Sequence, residues 1–273
     1  MSRILVRRPS PRLADGELTH LDRRPVDAQL ALRQWHAYVA AFADRGWQVT
    51  EAAPLDEHPD GVFVEDTVVM FGDLAVLTAP GAPSRRGEVE STAAALAQLG
   101  IETARITEPG HLDGGDVLKV GTTVYVGRGA RTDDEGIRQL AGLAATRGRQ
   151  VIAVPVRKVL HLKSGVTALP DGTVIGYEPL VDDPGAFEQF LPVPEEHGTA
   201  VVALDDKTVL MSADAPQTAE LFASRGLEVI AVPVSEFEKL EGCVTCLSVR
   251  IRQCPDPGSP SVHDPGSPGY GHQ

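Results

Sequence analysis

An α/β fold, built as a closed ring of five similar modules, is what this sequence predicts, and three observations predict it. The first is a repeated ending: "DRGWQVTEAAP" (44–54), "QLGIETARITEP" (98–109), "TRGRQVIAVPV" (146–156) and "SRGLEVIAVPV" (224–234) each read Gly, strand-like run, Pro. The second is a set of paired strand patterns around a turn, at 67–78, 116–127, 166–177 and 200–212. The third is that the last strand run, "CLSVRI" (246–251), has no hairpin partner after it, while the N-terminal "RILVRR" can supply one. Modules that each bury a face against a neighbour, with the chain ends pairing, close into a ring.

Each repeated ending follows a helix. Trp35, Tyr38, Val39 and Phe42 recur at helical spacing, as do Val89, Ala93, Leu96 and Leu99, and Ile137 and Leu140 with Leu143 or Ala144. The glycine after each helix sits where a left-handed C-cap is wanted. The module is therefore strand–turn–strand–helix–strand, roughly 50 residues long, and the chain has room for five. The module after His161 is degenerate. The final stretch, "CPDPGSPSVHDPGSPGYGHQ" (254–273), has too little apolar surface to offset its ordering entropy and reads as a disordered tail containing Cys254. Residues 1–253 then form one catalytic domain.

Composition narrows the function. Of the 273 residues, 42% are hydrophobic, enough for a sizeable core. No apolar run is long enough to cross a membrane, and the N-terminus has no secretory pattern. Three cysteines are too few for a disulfide framework and fit a reducing cytoplasm. A formal charge of −13 argues against nucleic acid and anionic membranes as partners and weakly favours a cationic ligand.

The polar residues cluster at one point of the repeat, between the last strand of one module and the first hairpin strand of the next. Asp60, Glu65 and Asp66 stand there, then Asp113 and Asp116, then His161, then Glu241 and Cys246. A ring points all of these positions at its axis. Arg85 and Arg131 share a second position, where a hairpin ends and a helix begins. Glu65 and Asp66 suit a guanidinium, Asp60 an α-ammonium, and Arg85 with Arg131 an α-carboxylate. Together they describe arginine or an N-substituted arginine. Lys163 reads as a solvated neighbour of His161.

A guanidinium carbon is a poor electrophile, so its attack needs a strong nucleophile. A Cys246 thiolate, its pKa lowered beside an imidazolium or the bound cation, would form a tetrahedral adduct. His161 would protonate the departing amine and then draw a proton from water, with Asp113 orienting the imidazole. No metal or organic cofactor is required. The C-x-x-C spacing of Cys243 and Cys246 leaves a redox pair or a zinc site open. However, no second C-x-x-C or His pair accompanies it, and it leads into a strand rather than opening a helix. A binding protein without chemistry would leave Cys246 and His161 idle.

"FVEDTVV", "PGAPSRRGEVE", "LDGGDVL", "RT" at 131–132, "LHLKSG" and "TCLSV" resemble the dimethylarginine dimethylaminohydrolases in order and interval, from about Leu18 to Arg250. The resemblance implies a five-bladed α/β-propeller of the amidinotransferase and arginine deiminase superfamily, with pseudo-fivefold symmetry. It implies hydrolysis of Nω-methylated arginines to citrulline and a methylamine through a cysteine thiouronium. Cys246 is then the nucleophile, His161 the acid and base, and Asp113 its acidic partner. Leu18, Asp60, Glu65, Asp66, Arg85 and Arg131 fall on substrate contacts. The partner is a small guanidino amino acid, and a homodimer is compatible. Cys243 becomes a buried neighbour or a redox brake. A deiminase or amidinotransferase acting on arginine or another guanidine is the alternative within this chemistry.

Overall fold

The computed structural model describes residues 2–252, so the expected tail and Cys254 lie outside the described residues. In chain order the elements are β1 (Arg3–Val6), α1 (Ala28–Ala43), β2 (Gln48–Glu51), β3 (Val68–Phe71), β4 (Leu74–Leu77), α2 (Glu88–Gln98) and β5 (Glu102–Arg105). There follow β6 (Val117–Val120), β7 (Thr123–Arg128), α3 (Asp134–Ala145), β8 (Gln150–Pro155), α4 (Leu162–Gly165), β9 (Val166–Ala168), β10 (Val174–Gly176) and β11 (Phe190–Pro192). The chain ends with β12 (Val201–Ala203), β13 (Thr208–Ser212), α5 (Pro216–Ser224), β14 (Glu228–Val232), α6 (Ser235–Glu238) and β15 (Val249–Ile251).

The strands make five sheets of three. In every sheet the first strand pairs antiparallel with the middle one, and the middle one pairs parallel with the third. The long helices cross between the middle and third strands, as a parallel connection requires. The fifth sheet is assembled from both ends of the chain: β1 lies antiparallel to β15, with Arg3 opposite Ile251, and parallel to β2. The ring therefore closes through the N-terminal strand, as the unpaired "SVRI" run requires.

Five apolar clusters lie between successive sheets. One joins β1 and α1 to β12–β14 through Ile4, Tyr38, Phe42, Val202, Leu210 and Phe237. The next joins β1 and β15 to β3, β4 and α2, and the remaining three continue around the ring. First strands of adjacent sheets meet, β15 against β3, β6 against β9 and β9 against β12. The third strands are outermost: β2 and β5 are mostly exposed, whereas β3 and β4 are buried throughout.

Local chemistry sets the helix limits. Asp27 and Asp133 cap α1 and α3 by accepting backbone N–H bonds. Gly46, Gly100, Gly148 and Gly226 follow the helices with φ of 76°, 68°, 67° and 85°, the left-handed conformation that a side chain resists. The degenerate module has no α-helix between β10 and β11. Pro179 and Pro184 remove amide donors there, and the chain makes two short 3-10 turns instead. "CLSVRI" is a strand only over Val249–Ile251, because Cys246 lies in a turn closed by its N–H to Cys243 O.

Candidate active site

The junction loops converge on one axial cleft. Asp60, Asp66, Arg85, Arg131, His161 and Cys246 line it, with Phe63 and Glu17 at its walls. Asp113 lies beneath His161, fully buried.

The imidazole is held from below and from one side. His161 Nε2 is 2.9 Å from Asp113 Oδ2, and Nδ1 is 3.8 Å from Asp66 Oδ1. Asp116 fixes the following backbone, accepting from Leu162 N at 2.9 Å, while Thr132 Oγ1 donates to Asp116 Oδ2 at 2.7 Å and accepts from Asp113 N at 3.1 Å. The "DGGD" stretch is more than a turn. A Cβ on Gly115 would lie 2.5 Å from Asp66 Oδ1 and 2.8 Å from the His161 ring, so only glycine lets these groups approach. Burial works against the imidazolium, but Asp66, the Asp113 hydrogen bond and Asp116 outweigh it and raise His161 to about 9. The ring is therefore a cation at neutral pH and can give up a proton.

The nucleophile turn is anchored from α1. Tyr38 Oη donates to Val244 O at 2.7 Å and lies 2.7 Å from Ser248 Oγ, bracketing Cys246 on both sides. Cys246 Sγ lies 3.4 Å from Cys243 Sγ and 3.5 Å from Cys243 N. The expected depressed thiol is not what this environment produces. The contact with Cys243, then burial, then Cys243, Glu65 and Asp66 as charges push the Cys246 thiol well up. The carboxylates around His161 offset its charge, so the imidazolium alone cannot draw out the thiolate.

The carboxylates and arginines need reassignment. Glu65 and Asp66 do not face the cleft together, because they belong to a 3-10 turn (Val64–Thr67), where consecutive side chains diverge by about 120°. Glu65 Oε1 accepts instead from Lys163 Nζ at 2.7 Å and Arg250 Nη2 at 2.6 Å. Lys163 is thus buried and paired, not solvated. Arg85 is no open fork. Its Nη1 binds Asp66 Oδ2 at 2.5 Å, Nε and Nη2 bind Glu88 at 3.1 and 2.7 Å, and Nη2 also reaches the carbonyls of Phe63 and Asp60. Arg131 is engaged more lightly, by Glu17 at 3.0 Å, and is the better placed to receive a carboxylate. Asp60 Oδ2 accepts from Glu17 N at 3.1 Å, and burial raises its carboxyl above the usual range. Leu18 packs at the edge of the apolar cluster that contains Phe63 and Cys246, and its neighbour Glu17 is the residue lining the cleft.

Glu241, at the wall of the cleft, also anchors the backbone of residues 19–21. Its carboxylate accepts from the backbone N–H of Thr19 and Leu21 at 2.9 Å each, and of His20. Its φ of 60° is costly for a non-glycine residue, by about 1–2 kcal/mol, and three charge-assisted bonds offset that cost. Asp66, Asp113 and His161 offer ligand atoms within 4.8 Å of one another and are the described residues able to hold a metal ion. Ligation there would first require His161 to lose its proton.

Sequence reasoning missed Glu17, Glu88, Thr132 and Arg250. The signal for Glu88 was its (i, i+3) spacing from Arg85, and for Thr132 its place after Arg131 in a polar turn. Glu17 and Arg250 carry no local signal, because their partners are 114 and 185 residues away.

The profile of the arginine deiminase family matches residues 48–197. The N(G),N(G)-dimethylarginine dimethylaminohydrolase of Streptomyces coelicolor is 58% identical over 252 residues, covering 92% of this chain and 98% of the relative. The enzyme of that name from Pseudomonas aeruginosa is 36% identical over 91% of this chain and 98% of its own length. A solved cysteine-to-serine form of the Pseudomonas aeruginosa DDAH, complexed with citrulline, has a TM-score of 0.84 at 34% identity over 91% of this chain and 98% of its own. A histidine-to-glycine dimethylarginine dimethylaminohydrolase, as an adduct with S-methyl-L-thiocitrulline, gives 0.84 at 34% over 92% and 100%. With the fold and nearly the whole length in agreement, this chain belongs to the dimethylarginine dimethylaminohydrolase family, within the wider arginine deiminase family.

Proposed function

We propose that this chain hydrolyses Nω-methylated L-arginines, dimethylarginine and monomethylarginine, to L-citrulline and a methylamine. The observation that carries the reading is the meeting of Cys246, His161 and Asp66 in one axial cleft. The names and ligands of the relatives support it. The substrate guanidinium docks against Asp66, its ammonium against Asp60 and its carboxylate against Arg131, with the remaining Nη1 hydrogen of Arg85 alongside. Leu18 and Glu17 close over the amino-acid end. Glu65 acts from below, through the backbone N–H it gives to Cys246 O at 3.2 Å.

Substrate charge supplies what the resting site lacks. A guanidinium beside Sγ favours the thiolate, and the thiol proton leaves to solvent. Sulfur attacks the guanidinium carbon, forming the C–S bond. His161 gives its proton to the substituted nitrogen as the C–N bond breaks and the neutral amine leaves. The neutral imidazole then takes a proton from water, whose oxygen adds to the thiouronium carbon. That proton restores the charge of His161, and collapse then breaks the C–S bond, returning the thiolate and giving citrulline as the hydroxyl proton of the adduct leaves to solvent. The reading places the enzyme in the cytoplasm, where a reducing pool keeps Cys243 and Cys246 as thiols.

The test is incubation with arginine, monomethylarginine and both dimethylarginines, scored for citrulline and released amine. Citrulline with stoichiometric methylamine is the expected outcome. Rapid turnover of plain arginine with the methylated forms untouched would favour a deiminase.

A second test concerns the neighbouring thiol. Mild hydrogen peroxide is expected to join Cys243 and Cys246, the two thiols giving up two hydrogens as peroxide becomes two waters. Activity should fall about tenfold or more and return with dithiothreitol, and mass spectrometry should record the loss of two hydrogens. Cys243→Ala should remain active and cannot form this bond. An oxidised wild-type chain with no intramolecular disulfide would remove Cys243 from any redox role.

A further inference from the structure

The first strands of the sheets begin at the cleft and run to their hairpin turns, so the opposite end of the ring axis is bounded by Gly72, Gly121 and the start of β8. A funnel of about 540 Å³ opens there, walled by residues of all five first strands, which is within the size range of ligand sites. Its cationic wall residues are Lys119, Arg149, Lys163, Arg250 and Arg252, and no carboxylate among the described residues lines it. This concentration of positive charge sits in a chain of formal charge −13.

The charges are poorly neutralised. At the floor, Lys163 and Arg250 share the single carboxylate of Glu65. The other three donate only to backbone carbonyls: Lys119 to Met70 O at 2.6 Å, Arg149 to Gly121 O at 2.6 Å and Arg252 to Ala203 O at 2.5 Å. Most of their N–H donors are left for a ligand. Holding like charges together costs Coulomb energy in a concave site, and an anion of several charges relieves it.

We propose that this funnel binds a small multivalent oxyanion of the oligophosphate class. Arg149, Arg252 and Arg250 offer forks for phosphate oxygens, and Lys119 and Lys163 supply point charges. The site lies at the far end of the axis from His161 and does not rest on the hydrolase reading. Lys119 supplies a distinctive signature. Lys119 is exposed at the funnel wall, and partial loss of hydration there, followed by the charges of Lys163, Arg250 and Arg149, lowers its ammonium pKa. A bound polyanion reverses that push, so the protein takes up a proton on binding.

The experiment is calorimetric titration of the full chain with tripolyphosphate at pH 7.5, in two buffers of different ionisation heat. Expected are saturable binding, weakened at least about tenfold by a threefold rise in salt, and net proton uptake. Lys119→Gln should abolish the proton uptake, and Lys119→Gln and Arg149→Gln should each weaken binding about tenfold. Because salt dependence is read on the wild-type chain, it decides the matter even where a variant fails to fold. No saturable binding, binding indifferent to salt, displacement by saturating citrulline, or equal competition by orthophosphate at the same concentration would each overturn the proposal.

Discussion

Replacing Cys246 by serine is expected to lower kcat for citrulline formation by about 10⁴-fold or more, while substrate binding and fold persist. The loss follows from the acidity of the nucleophile. The substrate guanidinium has to draw a proton from a thiol whose pKa the contact with Cys243, and then burial, already push well up. A serine hydroxyl starts several units higher still, out of reach of one neighbouring cation. The structural cost is small: the turn is held by Tyr38 through Val244 O and Ser248 Oγ and by the Cys246 N–H to Cys243 O, and none of these uses Sγ. Calorimetry on Cys246→Ser should therefore give substrate affinity within about threefold of the wild-type KM, and the melting temperature should move by only a few degrees. An acid quench of the wild-type reaction should trap a mass adduct of the citrulline skeleton on Cys246 that the variant cannot form. A serine variant retaining a tenth of the activity would rule out sulfur as the nucleophile.

The ring was legible because each module repeats its own punctuation. A glycine after the helix, a short apolar run and a proline recur with a period, and period survives where individual propensities are weak. The missing helix between β10 and β11 was legible as degeneracy, and its cause, Pro179 and Pro184, is local. Converging junction loops followed from the ring, so Asp113, His161 and Cys246 could be placed together without coordinates. Side-chain direction was what the sequence could not carry. Glu65 and Asp66 are adjacent letters, yet a single 3-10 turn sends one to the cleft and the other to Lys163 and Arg250. Arg85 was read as a fork for substrate, but its fork is taken by Glu88, one turn along the chain. Lys163 looked solvated because the carboxylate that buries it lies 98 positions earlier in the sequence, beyond any local pattern.

Two electrostatic systems meet at the axis. Above, carboxylates outnumber cations around His161 and keep it charged, while Cys243 and burial, with a smaller contribution from Glu65 and Asp66, raise the Cys246 thiol. Below, cations outnumber carboxylates. Glu65 stands between them, taking Lys163 and Arg250 on one side while its own backbone N–H binds Cys246 O on the other. The division broadly follows the repeat: most cleft residues precede a first strand, whereas most funnel residues lie along or after one, and Lys163 crosses from the first group to the funnel floor.

His161→Gln is expected to reduce kcat by about 10³-fold, since the departing amine then leaves without a proton donor. The more telling result is in the pH dependence. The His161 pKa of about 9 means that wild-type kcat should decline as pH rises through that value, when the imidazolium is lost. The glutamine variant should show no such limb in its residual activity. Stability should follow the same group. Its folded pKa lies above the ordinary 6.5, so the contribution is fully present below pH 6.5 and is lost progressively as pH rises to about 9. A gap of that size corresponds to roughly 3 kcal/mol. The wild-type chain should therefore lose about that much unfolding free energy between pH 6.5 and 9 relative to the variant, in denaturant titrations at matched ionic strength. Below pH 6.5 the variant should be the less stable of the two, because Asp113 loses its charged partner while remaining fully buried. Parallel stability curves for the two chains across this window would show that the imidazole is neutral in the folded enzyme, and the acid in the mechanism would then have to be another group.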